Sequence, residues 1–63
     1  MLLAALERLP PEQRSVLQLA YYEGLSQREI AERQQEPLGT IKTRVRLAMQ
    51  RLGDFLAAAG ALP

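Results

Sequence analysis

Apolar residues recur along this chain at helical spacing. Val16, Leu17, Ala20 and Tyr21 form one stripe, separated by steps of one, three and one. That repeat belongs to a helix with one face turned inward. On a wheel of ~100° per residue, Ile41, Val45, Ala48, Leu52, Phe55 and Leu56 gather on one side of a second, longer stripe. No stretch alternates β-branched with polar residues, so the chain reads as all-α. Proline and glycine divide it into four pieces. A short stretch from Leu2 to Leu9 ends at Pro10-Pro11, which cannot continue a helix. A second helix starts there, with Pro11 suited to the first helical position and Glu12 to the positive end of the macrodipole. Gly24 stops it, because glycine accepts the left-handed conformation. Ser26-Gln27-Arg28-Glu29 is a capping box that opens a third helix, Gln27 to about Gln34, with Ile30 and Ala31 inward. Pro37 marks the next break. The fourth helix is expected from about Leu38 to Leu56, roughly 28 Å long. The expected architecture is a compact bundle of about four helices. The third and fourth, joined by a short turn, form a helix-turn-helix, and the first two close the core. Residues 1–56 make the domain, and the small, glycine-broken tail 57–63 is expected to fray.

The outward side of the fourth helix carries the functional pattern. Gly39, Thr43, Arg46, Leu47 and Gln50 lie opposite the apolar stripe. Lys42 lies on one flank, and Thr40, Arg44 and Arg51 lie on the other. No acid occurs between Glu36 and Asp54. This layout suits a helix in the DNA major groove, with its outer face toward base edges and its flanks toward the two phosphate strands. Arg46 can pair bidentately with guanine. Thr43 can offer its hydroxyl to a base or its methyl to thymine, and Gly39 permits close approach. Leu47 is open to three readings: a thymine-methyl contact, a partner contact, or an ordinary exposed leucine. Lys42, Thr40, Arg44 and Arg51 are candidate backbone contacts. Arg44 and Arg51 can equally pair with glutamates of the second and third helices. Ser26, Gln27 and Arg28 begin the third helix, whose first N–H groups can hold a phosphate, although Ser26 is first of all a cap. Tyr21 and Tyr22 read as core and rim rather than as base-stacking groups.

Charge sharpens this picture. The net charge is only +1, but it is divided unevenly. Residues 1–36 hold six acids and four bases, and residues 37–63 hold four bases and one acid. Positive charge is therefore concentrated on the late segment. The 63 residues allow one domain. Cysteine and histidine are both absent, which excludes disulfides, thiolate metal sites and the commonest general base. No paired-acid cleft or glycine-rich phosphate loop replaces them, so neither an enzyme nor a cofactor or metal site is expected. There is no signal-peptide pattern and no run of the ~20 apolar residues a membrane span needs. The expectation is a cytoplasmic domain with no membrane partner.

Several blocks now align in order: Leu9-Pro10-Pro11-Glu12-Gln13-Arg14, Glu23-Gly24-Leu25-Ser26, Glu29-Ile30-Ala31-Glu32, Pro37-Leu38-Gly39-Thr40-Ile41-Lys42-Thr43-Arg44, and Arg51-Leu52. Together they resemble region 4 of bacterial sigma factors, especially the extracytoplasmic-function type, from about Leu6 to Leu56. The resemblance implies recognition of the −35 promoter element on double-stranded DNA by a domain attached to RNA polymerase. It places the recognition helix at Thr40 to Leu47, with Lys42, Thr43 and Arg46 at base or near-base contacts. It also implies an apolar surface for the flap of the polymerase β subunit and, in many members, an anti-sigma factor as a competing partner. The chain departs from the pattern in three ways. Gln34-Gln35-Glu36 stands where the family usually has a glycine-containing turn, so a different or looser turn is expected. Leu47 stands where arginine is common. No segment matches the part that family members use to melt the −10 element. Two alternatives remain in view. One is a GerE-like response-regulator DNA-binding domain, which usually carries histidine at the position of Arg44. The other is a sigma-like module that mainly binds protein partners.

Overall fold

The structure, a computed structural model, describes residues 2–60. It contains α1 (Leu2–Glu7), α2 (Pro11–Tyr22), α3 (Gln27–Gln34) and α4 (Leu38–Ala58). No strand occurs among the described residues. The last helix runs two residues beyond its expected end at Leu56, because Ala57 and Ala58 are good helix formers and no breaker intervenes. The expected tail therefore starts inside the helix, and its residues 61–63 lie outside the described residues.

Both ends of α2 and the start of α3 have local causes. Pro11 occupies the first position of α2 and Glu12 its first turn. Gly24, at φ 67°, ends the α2 segment in the left-handed region, and the Leu25 N–H donates back to the Leu19 carbonyl at 3.2 Å. The capping box is complete. The Ser26 hydroxyl accepts from the Glu29 N–H at 3.1 Å, and the Glu29 carboxylate accepts from the Ser26 N–H at 2.8 Å. The Ser26 N–H first, and the Ser26 side chain second, hold the Glu29 carboxyl below its ordinary value, with a smaller contribution from Arg33.

The turn between α3 and α4 is closed rather than loose. Gln35 itself takes the left-handed conformation, φ 56° and ψ 46°. Its N–H donates to the Glu32 carbonyl at 3.3 Å, and the Glu36 N–H donates to Ala31 at 3.0 Å. This is the Schellman pattern, built without glycine. Gln34 supports it from the side, donating to the Ser15 hydroxyl of α2 at 2.6 Å.

Helix α4 is the spine of the bundle. Its first half packs Ile41 with Val16, Ile30 and Ala31. Its second half packs Ala48 and Leu52 with Ala5, Leu6, Leu9 and Leu17. Val45 borders both clusters. Tyr21 corrects the sequence-based expectation. It is 62% exposed rather than core. The buried side of α2 is centred on Gln13, Val16 and Leu17, and Tyr21 sits roughly 90° away from that direction on a helix of ~100° per residue, one residue from the helix end. The buried position that hydrophobicity alone does not reveal is Gln13.

Candidate nucleic-acid interface

The outward face of α4 is solvent-facing where the sequence places it. Lys42, Thr43, Arg46, Gln50 and Arg51 are exposed, while Ile41, Ala48 and Leu52 on the opposite side are buried. One helix therefore fixes its polar face by burying the other. Thr40 and Arg44 are half-buried on one flank. Ser26, Gln27 and Arg28 are exposed at the start of α3. There the Ser26 hydroxyl oxygen accepts the Glu29 N–H of the cap.

Two of the expected contacts are modified by their surroundings. Arg44 is tied to the turn that precedes its own helix. Its guanidinium donates to the Gln34 amide oxygen at 3.5 Å and lies 3.7 Å from the Glu36 carboxylate. Both distances are long and the pair is partly exposed, so the tie is weak. The acid that engages it belongs to the turn, not to the second or third helix. Arg51 makes no ion pair with those helices among the described residues. Leu47 is half-buried rather than fully outward. The reason is the crossing of α2 over α4. The first turn of α2 lies on the Leu47 side, where Glu12, Gln13, Thr43 and Leu47 share an open groove of about 670 Å³. The last turn of α2 lies on the other flank, where the Tyr21 hydroxyl reaches the Met49 sulfur at 4.0 Å.

That second flank exposes an apolar group absent from the sequence-based site. Tyr21, Tyr22 and Met49 are 62%, 63% and 47% exposed. The signal for Met49 lay in its wheel position, beside Lys42 at the edge of the apolar stripe. Gln13 was likewise detectable, because it precedes Val16 and Leu17 by three and four residues and so shares their face. No group of three acidic or metal-ligating side chains occurs among the described residues. None of the described helices is long and apolar enough to cross a membrane.

Comparison with known proteins bears on this geometry directly. The family model described as sigma-70, region 4 matches residues 1–52. The chain belongs to the sigma-70 region 4 family. It is similar to the ECF RNA polymerase sigma factor RpoE of Cereibacter sphaeroides, at 48% identity over 53 residues, covering 84% of this chain and 29% of that protein. It is also similar to the ECF RNA polymerase sigma factor SigE of Mycolicibacterium smegmatis, at 45% identity over 54 residues, covering 86% of this chain and 21% of that protein. The chain thus spans less than a third of the length of these curated relatives. As a region 4 domain of the extracytoplasmic-function type, it agrees with the sigma resemblance and not with the GerE-like alternative.

Proposed function

We propose that this region 4 domain reads the −35 element of promoter DNA by inserting the N-terminal half of α4 into the major groove while attached to RNA polymerase. One observation carries the reading. The exposed side of α4 presents Lys42, Thr43 and Arg46 with no acid among them, and the buried side anchors the same segment through Ile41. Arg46 reads a guanine and Thr43 an adjacent base edge or thymine methyl. Lys42 lies between base edge and backbone. Leu47, half-covered, is left with an apolar contact to a thymine methyl. Thr40, Arg51 and the start of α3 at Ser26, Gln27 and Arg28 face phosphates and set register. Arg44 joins them by exchanging its weak tie to Glu36 for a phosphate. The domain acts by binding and performs no catalysis, and its work is cytoplasmic.

The exposed Tyr21, Tyr22 and Met49 supply the apolar surface for the β-subunit flap. Aromatic residues and methionine are enriched at such interfaces. The same patch supports a second reading, in which the domain chiefly binds protein, either polymerase or an anti-sigma factor. Selection of bound duplexes from a random pool, with the chain tethered to polymerase core, separates the two. Enrichment of one short motif that depends on Arg46 is the expected result. A pool that stays random while polymerase binding persists would establish the protein-binding reading instead.

A further inference from the structure

Two helix starts converge on the groove beside Leu47. Residues of the first turn of α2 (Glu12, Gln13) and of the first turn of α4 (Gly39, Thr40) line it together, with Pro37, Thr43 and Arg44 around them. Both helices begin after a proline, Pro10 and Pro37, and neither start has a side-chain cap. Pro11 has no N–H, and the Gln13 and Thr40 N–H groups donate to the Pro10 and Pro37 carbonyls. The N–H groups of Glu12, Leu38 and Gly39 are therefore the ones left for an outside acceptor, and both macrodipoles place their positive ends at the groove. A separate observation points to a ligand. Gln13, only 7% exposed, lines this groove, and its amide Oε1 is buried with no hydrogen-bond partner. A buried polar group is ordinarily paired. Of the two amide ends, Oε1 alone is buried without a partner, and the Nε2 end is left to donate an N–H to an anion seated there.

We propose that this groove is a seat for one phosphate oxyanion of the DNA backbone, with Gln13 as its buried amide donor. The proposal rests on the reading that α4 enters the major groove. Thr40 and Thr43 add hydroxyl donors, and Arg44 supplies the positive charge. The charges facing the seat are mixed. Glu12 stands in its lining and Glu36 holds Arg44, so free anions are bound poorly. A phosphate delivered by a docked duplex succeeds because the rest of α4 has already positioned it. Gln13 is thereby a positioning residue, which fixes how deeply α4 sits without reading sequence.

The test uses the whole chain and a duplex selected as described above, with single methylphosphonates placed in turn along each strand. In the wild-type protein one position is expected to weaken binding roughly tenfold, the scale of a lost hydrogen bond to a charged group. Gln13→Leu should bind the unmodified duplex roughly tenfold more weakly and lose sensitivity at that one position. It should also melt at the same temperature or higher, because the unpartnered amide is gone. Thr40→Val provides a second variant outside the buried layer with the same loss of sensitivity. Glu12→Gln should tighten binding. Equal methylphosphonate profiles in wild type and Gln13→Leu would overturn the seat while leaving groove insertion intact. Failure of the wild type to bind any duplex would overturn groove insertion itself. Saturation of the Gln13 and Gly39 amide resonances by inorganic phosphate alone, with no position-specific methylphosphonate effect, would assign the seat to free phosphate and overturn its DNA role.

Discussion

Gln35→Gly should make this domain more stable. Gln35 is held at φ 56° and ψ 46°, a conformation that costs a residue bearing a Cβ about 1–2 kcal/mol. Its side chain is exposed and makes no hydrogen bond among the described residues, so nothing else is lost with it. Glycine relieves the backbone cost but enlarges the unfolded ensemble, which returns roughly 0.4–1 kcal/mol. The difference is a net gain of about 0.5–1 kcal/mol. For a domain of this size that corresponds to an upward shift in melting temperature of roughly 2–8 °C. Gly24 supplies the reciprocal test, since it has φ 67° and a Cβ placed there would meet nothing within 4 Å. Gly24→Ala pays only the conformational cost and should lower stability by about the same amount. Thermal unfolding followed by far-ultraviolet circular dichroism measures both. A melting temperature that falls for Gln35→Gly, or rises for Gly24→Ala, would refute the argument that left-handed strain resides in these two turns.

Other substitutions separate fold from recognition. Arg46→Ala should relax sequence preference in a panel of single-base variant duplexes, whereas Arg51→Ala should weaken all duplexes alike and lower the salt slope by about 0.9. Gly53→Ala, at a helical position where an added Cβ meets nothing within 4 Å, should stabilise α4 by roughly 0.5–1 kcal/mol in urea unfolding, and a loss of stability would mean that the position packs against something. Ile41→Ala removes a side chain with no exposure, and should cost about 2–5 kcal/mol, enough to leave little folded protein in a chain this short. The folded-state carboxyl of Glu29 lies below its ordinary value, so its stabilising contribution is complete above the unfolded pKa and is lost as pH falls through the folded one. Unfolding curves of wild type and Glu29→Gln should therefore converge on acidification, and curves that stay parallel would remove the cap as the cause.

The parts of the fold that punctuation controls were legible in the sequence. Pro11, Gly24, Ser26 with Glu29, and Pro37 each act on their own backbone, so the starts of α2, α3 and α4 follow from residues within a turn of the boundary. The exposed face of α4 was legible for a related reason, since six apolar residues at helical spacing leave only one direction for Lys42, Thr43 and Arg46. What the sequence concealed depends on how helices cross. Leu47 is half-covered where the first turn of α2 lies beside it, and Tyr21 is exposed because it sits well round α2 from Gln13, Val16 and Leu17, next to that helix's last residue. The turn at Gln35 was legible as a departure from the family pattern but not in its outcome. The closed left-handed turn is supported at long range by the bond from Gln34 to Ser15, 19 positions away.

The segment proposed to enter the groove is not an independent unit on this scaffold. Ile41 belongs to the cluster built with α2 and α3, Leu52 to the cluster built with α1, and Val45 touches both along one uninterrupted helix. A rigid rod fixed at two places has little freedom to change its tilt, so the angle at which Thr43 and Arg46 leave the body is set by residues that face inward. A flap or inhibitor seated on Tyr21 and Met49 would press on the last turn of α2, and α2 supplies Val16 to one cluster and Leu17 to the other. On the proposed reading, protein binding on that flank and base reading on the outer face would be joined mechanically through α2. Their coupling depends on packing rather than on charge, and it should persist at salt concentrations that screen exposed charges.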